Sequence, residues 1–160
     1  MTFCLSDGLR DIPHDFDSMV CAGMGADTII SILGAAPWLR NDHYRLILQC
    51  QSRRPELRRW LYENGWHIER ETLAQDGKFL YTVMEVRFGA AEMPSEAHLH
   101  ISRQLLEDRH PLLPDFMDRV IGGVRLTVMG LRRSGNDQLP KFEEMLHDLE
   151  KMEENIHDNR

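Results

Sequence analysis

Two rhythms of apolar and polar residues run along this chain, and the change from one to the other falls near residue 90. In the first part, Asp17 to Ala22 carries apolar residues on both faces, the pattern of a buried parallel strand. Tyr44 to Gln49 repeats that pattern. Between them Thr28 to Leu33 reads as a helix, with Asp27 and Thr28 available as caps and Gly34 at its end. A second helix is expected from Pro55 to Asn64, with proline in its first turn and Gly65 closing it. Leu57, Trp60 and Leu61 fall there at i, i+3 and i+4, one inward stripe. Trp66 to Leu73 and Phe79 to Arg87 read as strands joined by an Asp76-Gly77 hairpin turn. Ahead of all these, Thr2 to Leu5 is a strand-like scrap, Ser6 to Leu9 a turn, and Arg10 to Ile12 a helical turn stopped by Pro13. The order predicts an α/β unit with a mostly parallel sheet finished by an antiparallel strand.

Phe88 to His98 reads as a connector, and the pattern then turns helical. Ile101 to Asp108 is one helix; Leu113 to Leu131 is a second, with Phe116, Met117, Val120, Ile121 and Val124 on one side. The last runs from Leu139 to Ile156. Its Phe142, Met145, Leu149, Met152 and Ile156 recur at 3, 4, 3 and 4, a coiled-coil seam. So short a seam is marginal alone in water, so the helix is expected to fold back on its predecessor as an antiparallel hairpin, dimerisation through it being the alternative. The organisation expected is a partial α/β domain over residues 1–90 and a helical region over 91–160.

Composition sharpens this picture only modestly. Among 160 residues, 42% are apolar and 28% charged, which suits one soluble domain with an appendage. No run approaches the length of a membrane span. Asp7, Arg10, Asp11 and Asp15 interrupt any signal-peptide core. Cys4, Cys21 and Cys50 are odd in number and widely spaced, neither a disulfide framework nor a zinc pattern, and a reducing, cytoplasmic setting is the simplest fit. The net charge of −7 argues against bulk capture of nucleic acid. Acid crowds the tail, from Glu143 to Asp158, while bases cluster at Arg53, Arg54, Arg58, Arg59 and again at Arg125, Arg132, Arg133. Each basic cluster reads either as a solvated helix face or as a phosphate track. His98-x-His100 sets two imidazoles on one strand face without a third ligand, a surface pair rather than a metal site. No phosphate loop of the Gly-Lys-Ser kind is present.

The chemistry concentrates at Val20-Cys-Ala-Gly-Met-Gly-Ala-Asp27, where small residues bare the backbone between a strand and a helix. Open α/β sheets bind ligands beyond the carboxyl ends of their strands, and glycines there admit a ligand close to the main chain. A tight structural turn would use the same residues.

Together, Ser6-Asp-Gly-Leu9, Ala22-Gly-Met-Gly25, Leu46-Ile-Leu-Gln49 and Leu57-Arg-x-Trp-Leu-x-x-Asn-Gly-Trp66 resemble the bacterial tRNA (adenine(22)-N(1))-methyltransferase family. Glu71 and Tyr81 fall where that pattern has a glutamate and a tyrosine. The resemblance spans residues 2 to 87, with the helical tail resembling the family's coiled-coil appendage more loosely. It implies a Rossmann-like class I fold, bound S-adenosylmethionine and a tRNA substrate, methylated at N1 of adenine 22. By position, Asp7, Gly8 and Leu9 would border the cofactor's adenine. Ala22, Gly23, Met24 and Gly25 would line the methyl-transfer crevice, Ala22 to Met24 also touching the cofactor. Asp27, Gln49, Gln51 and Tyr81 join them as candidate catalytic positions, Asp27 as an acceptor for the adenine amino group or simply a helix cap. Tyr81 or Trp66 could stack on an unstacked base, Trp66 serving equally as core. Arg53, Arg54, Arg58 and Arg59 could meet phosphates.

Two positions depart from the family pattern: Ala26 stands for a glycine, and Cys50-Gln51 for Pro-Asn. The family also begins with a glycine-rich strand and loop and an acidic ribose ligand that this sequence lacks. An N-terminally incomplete copy is therefore expected, from a late start site or truncated gene, with an authentic half-domain as the alternative. Asp17 to Ala22 would then form an open sheet edge that is sticky or pairs with a second copy. A non-catalytic RNA-binding or assembly module and a different Rossmann-like nucleotide binder are the other functional readings.

Overall fold

The structure, a computed structural model, describes residues 3–158. The chain divides into two compact units, Met1–Met93 and Pro94–Arg160.

The first unit contains β1 (Ser18–Met24), α1 (Ala26–Gly34), a single 3-10 turn (Pro37–Leu39), β2 (Arg45–Cys50), α2 (Arg54–Glu63), β3 (Trp66–Asp76) and β4 (Phe79–Phe88). These form a four-stranded sheet in the order β1-β2-β4-β3. β1 and β2 are parallel, and β4 is antiparallel to both of its neighbours. The antiparallel strand is thus inserted inside the sheet, not added at its end as expected. The cause is in the side chains. β4 offers an apolar face in Met84 and Val86, both fully buried, whereas β3 carries His67, Glu69, Arg70 and Thr72 and belongs at an edge. The hairpin turn at Gly77, φ +54°, keeps the two side by side.

Helices α1 and α2 supply one apolar layer. Ile29 and Leu33 from α1 and Leu57 and Leu61 from α2 join Leu46, Leu48, Met84 and Val86 in the core. Burying each such side chain is worth roughly 1.5–3 kcal/mol. β1 lies at an open edge of the sheet, as expected, but without the doubly buried character its pattern suggested: only Cys21 is buried, while Val20 is 71% exposed. Residues 3–5 form no strand; Thr2, the start of that expected scrap, lies outside the described residues.

The second unit contains α3 (Glu96–His100), α4 (Arg103–Glu107), α5 (Leu113–Ser134) and α6 (Leu139–Asp158). The helix expected from Ile101 to Asp108 is shorter, Arg103–Glu107, and a separate helix, α3, stands ahead of it, largely in the stretch expected to be a connector. Ser95 accepts a hydrogen bond from the His98 N–H and Ser102 from the Leu105 N–H, so each serine starts its own helix, with Ile101 extended between them. His98 and His100 therefore sit on the helical α3, not on a strand. Gly135, φ +62°, ends α5. α6 then runs back antiparallel, as the pairs Arg125–Glu150 (2.8 Å) and Arg132–Glu143 demonstrate by their opposite sequence order. Phe116, Met117, Ile121, Val124 and Val128 are buried on α5, Met145 and Leu149 on α6; Phe142, Met152 and Ile156 at the ends of the seam are half-buried. Among the described residues no helix is long and apolar enough to cross a membrane.

Candidate functional site

The parallel strands β1 and β2 end side by side, at Met24 and Cys50, and the loops beyond them are laced together. The Gln51 N–H donates to the Met24 carbonyl at 2.9 Å, and the Ala26 N–H to the Ser52 carbonyl at 3.2 Å. The Cys50 thiol donates to that same Ser52 carbonyl at 2.9 Å. Between Ala22 and Met24 the strand register slips, and Gly23 bulges at φ +79°. A β-carbon there would enter open space, meeting only Gln51 Nε2 at 3.9 Å. The positive φ favours glycine, and the missing side chain leaves a bare backbone surface at the mouth of the two strands. Gly25 is different: it has an extended φ of −75°, and a β-carbon would stand 3.0 Å from Ser52 Oγ. Glycine at 25 lets the two loops close on each other. Ser52 was not evident as part of this site from sequence; its position directly after Gln51 was the only signal.

Asp27 does not cap α1. The bond from Ala26 to Ser52 starts the helix earlier, with Gly25 in the cap position and no side-chain cap. Asp27 instead lies in the first turn, where the helix dipole favours a carboxylate. Both its oxygens accept from Arg53, at 3.0 and 2.8 Å. Arg53, also 3.5 Å from Glu56, has left-handed backbone angles (φ 56°, ψ 42°) and caps α2 through its carbonyl. The pair thus ties the start of α1 to the start of α2 across the mouth of the strands.

The four arginines expected near phosphates differ in kind. Arg58 is buried against Glu71, both side chains being almost completely enclosed, so it forms a core ion pair and no surface for RNA. Glu71, singled out on sequence, is its partner. Arg54 and Arg59 are half-buried and have partners within the chain. Burial also disfavours the charged form of Arg54 and lowers its pKa, with the Arg58 cation adding to the effect.

Tyr81 on β4 is half-buried. Gln49 pairs with Val83, so Tyr81, two residues further along, shares the face of the sheet on which Gln49 and Ala22 lie. Trp66 is buried edge-to-face on Phe88 at 5.3 Å, and is core. The Asp7–Leu9 turn sits elsewhere. Gly8, φ +63°, lies against Ile32, Leu9 packs on the core, and Asp7 pairs with Arg10 at 3.1 Å. Ile32 is about 9 Å along α1 from Ala26 at 1.5 Å per residue, so this turn flanks α1 and the described contacts do not bring it to the Gly23 bulge. Cys21 and Cys50 are buried thiols, their pKa raised chiefly by desolvation, and each is held neutral. Among the described residues no group of His, Cys, Asp and Glu could hold a metal ion.

The chemical capacity of this crevice is to receive a flat or extended ligand against bare main chain, with an amide from Gln51 at its mouth and the Tyr81 ring on the same face of the sheet. A family model described as tRNA (adenine(22)-N(1))-methyltransferase matches residues 1–157. A Mycoplasma genitalium protein named as a candidate tRNA methyltransferase is 36% identical over 87 residues, covering 52% of this chain and 38% of that protein. A Streptococcus agalactiae protein of the NADB-Rossmann superfamily superposes with a TM-score of 0.78 at 21% identity, covering 94% of this chain and 66% of that one. The M. capricolum protein TrmK, solved with S-adenosyl-homocysteine, superposes at 0.63 with 18% identity over 98% of this chain and 69% of its own. The likenesses of structure demonstrate a Rossmann-like fold, and the chain spans less than half the length of the curated relatives it matches.

Proposed function

The chain belongs to the tRNA (adenine(22)-N(1))-methyltransferase family, and from that premise we propose that it acts in S-adenosylmethionine-dependent methylation of N1 of adenine 22 in tRNA. The observation that carries this is the family match over residues 1–157. The M. capricolum protein solved with S-adenosyl-homocysteine supports the cofactor, and the open cradle at Gly23 fits close approach of a ligand to the main chain. When bound, S-adenosylmethionine supplies a methyl group activated on a sulfonium.

The residues of this chain then have positioning work. N1 of adenine already carries a lone pair, so no strong base is required, and alignment of the reacting atoms is the dominant contribution. The backbone of Ala22 to Gly25 borders both reactants. Tyr81 stacks on the unstacked base. Asp27 keeps free lone pairs beside those given to Arg53 and accepts from the adenine amino group. Gln51 contributes an amide at the mouth. Arg53, Arg54 and Arg59 meet tRNA phosphates; Arg58 does not. Asp7, Gly8 and Leu9 border the cofactor's adenine only if the ligand reaches along α1. A tRNA substrate supports a cytoplasmic setting for the protein. Pairing of two copies through the β1 edge or α6 is the finer reading of its assembly, supported by the exposure of Val20.

Calorimetric titration of S-adenosylmethionine into the 160-residue chain is the test. Micromolar binding, followed by methylation of tRNA carrying adenine 22 and not of tRNA lacking it, is expected. Absence of binding and transfer overturns the reading for this chain. Salt titration of tRNA affinity checks the arginines: alanine at Arg53, Arg54 and Arg59 should flatten the slope.

A further inference from the structure

The ladder between β1 and β2 is interrupted between Ala22 and Met24, and there the Gly23 N–H is taken by a side chain: it donates to Gln49 Oε1 at 2.7 Å. Only the oxygen of a carboxamide accepts, so this bond fixes which way the group faces and turns Nε2 away from Gly23. Nε2 is buried and has no partner among the described residues. A group enclosed beyond the reach of water is closed to a bound base or cofactor. Gln49 therefore does not act as a catalytic residue in contact with the reactants.

Its effect is confined to one peptide. Downstream of the bulge, Met24 and Ala26 are held by backbone bonds to Gln51 and Ser52, which do not depend on what stands at position 49. Upstream, Ala22 pairs regularly in the ladder. Gly23 alone relies on the Gln49 side chain. For stability an amide with its donor end orphaned is a poor occupant, since an apolar residue of similar shape leaves no such group. Such exceptions call for a reason other than stability.

We propose that Gln49 is a positioning residue of the methyl-transfer crevice, its side-chain oxygen holding the Gly23 bulge so that the backbone of Ala22 to Gly25 presents one fixed surface to the reactants. The proposal rests on the methyltransferase reading above for its consequence, and on the Gln49–Gly23 bond for its mechanism. These are tested separately.

Two substitutions divide the roles of the amide. Gln49→Met keeps length and removes the acceptor; Gln49→Glu keeps an oxygen for the Gly23 N–H and removes the donor. Amide hydrogen exchange by NMR on the labelled chain, without cofactor, reads the bulge directly. Gly23 should exchange about tenfold faster or more in Gln49→Met and within about threefold of the parent in Gln49→Glu, while Leu48 and Cys50 keep their rates in both. In methyl transfer, Gln49→Met should lower kcat by about tenfold with KM for tRNA nearly unchanged, and Gln49→Glu should restore most of it. If Gln49→Met also exposes Leu48 and Cys50, Gln49→Asn, too short to reach Gly23, supplies the same comparison. Equal Gly23 exchange in parent and Gln49→Met overturns the proposal. So does an equal loss of kcat in Gln49→Glu and Gln49→Met. A parent chain without transfer activity counts against the methyltransferase reading, and the exchange rates then decide the Gln49 clamp alone.

Discussion

Arg53 and Arg58 belong to one basic stretch, and the fold sends them into opposite surroundings. Arg58 turns inward with Leu57 and Leu61 and pairs with Glu71 from β3, out of reach of water. Arg53, in the cap position of the same helix, pairs with Asp27 at the mouth of β1 and β2, both side chains more than half exposed. The same chemistry thus has two uses. In the core, each charge has been stripped of water, and the pair is needed because either ion alone would be intolerable there. At the crevice, water competes for both partners, and the contact adds little energy while still setting where two loops lie. A buried pair specifies; an exposed pair is exchangeable, which is what a site that must admit a substrate requires.

The strongest way to break this contrast is to remove one buried partner. Arg58→Ala or Glu71→Ala should cost about 3–5 kcal/mol, because the remaining charge is left in the core. Set against a typical domain stability of about 5–15 kcal/mol, that leaves the first unit marginal. Replacing both together, Arg58→Met with Glu71→Leu, should recover most of the loss or exceed the parent. Urea unfolding followed by circular dichroism measures all three. A double variant as unstable as the singles would mean that the pair contributes net stability, contrary to its description as a specifying contact.

How far these roles could be read from sequence follows from what determines each. The hairpin at Asp76-Gly77, the end of α2 at Gly65 and the hairpin of α5 on α6 depend on local turn chemistry and period, and they stand where expected. Arg58 was hidden. The stripe Leu57, Trp60, Leu61 does face the core, Trp60 being half-buried against it, but the enclosed Arg58 beside it was not part of that stripe. A charged residue is drawn inside only when a partner arrives from another element, and Glu71 lies across a helix–strand turn from it. The interior place of β4 was hidden for a similar reason, since it depends on strand order, whereas the open edge at β1 stands as expected. At the crevice, the glycines announced themselves, while the pairing of Asp27 with Arg53 and of Gln49 with Gly23 required the two strand ends to be brought together.

A second, smaller effect separates the crevice glycines from one another. Gly23→Ala meets no clash but forces an L-residue to φ +79°, a strain of about 1–2 kcal/mol. Gly25→Ala has a permitted φ and needs only a shift of the Ser52 hydroxyl, 3.0 Å from the new methyl. The first should therefore be the more destabilising in denaturant. It should also weaken S-adenosylmethionine binding more in calorimetry, since the bare surface is at Gly23. The reverse order would move the ligand-facing surface to Gly25.

The smallest effect expected is at the exposed pair, and it tests the comparison from the other side. Asp27→Asn should cost no more than about 1 kcal/mol, and the cost should shrink with added salt, because both partners are solvated. Arg53→Gly should cost still less: it loses the same ion pair but relieves the left-handed backbone at φ 56°. Function should respond where stability barely does. Releasing Arg53 from Asp27 frees a cation for phosphate, so Asp27→Asn should bind tRNA more tightly than the parent at low salt and with a steeper salt dependence. Its methyl-transfer rate should nevertheless fall, since a neutral amide oxygen is a weaker acceptor for the adenine amino group than the carboxylate. Filter binding across a salt series and single-turnover transfer read the two quantities independently. Tighter binding with slower transfer is the signature of a pair shared between holding the crevice and serving the substrate. A fall in stability as large as that of Arg58→Ala would instead make Asp27–Arg53 a second core pair, and the distinction between the two regions would be lost.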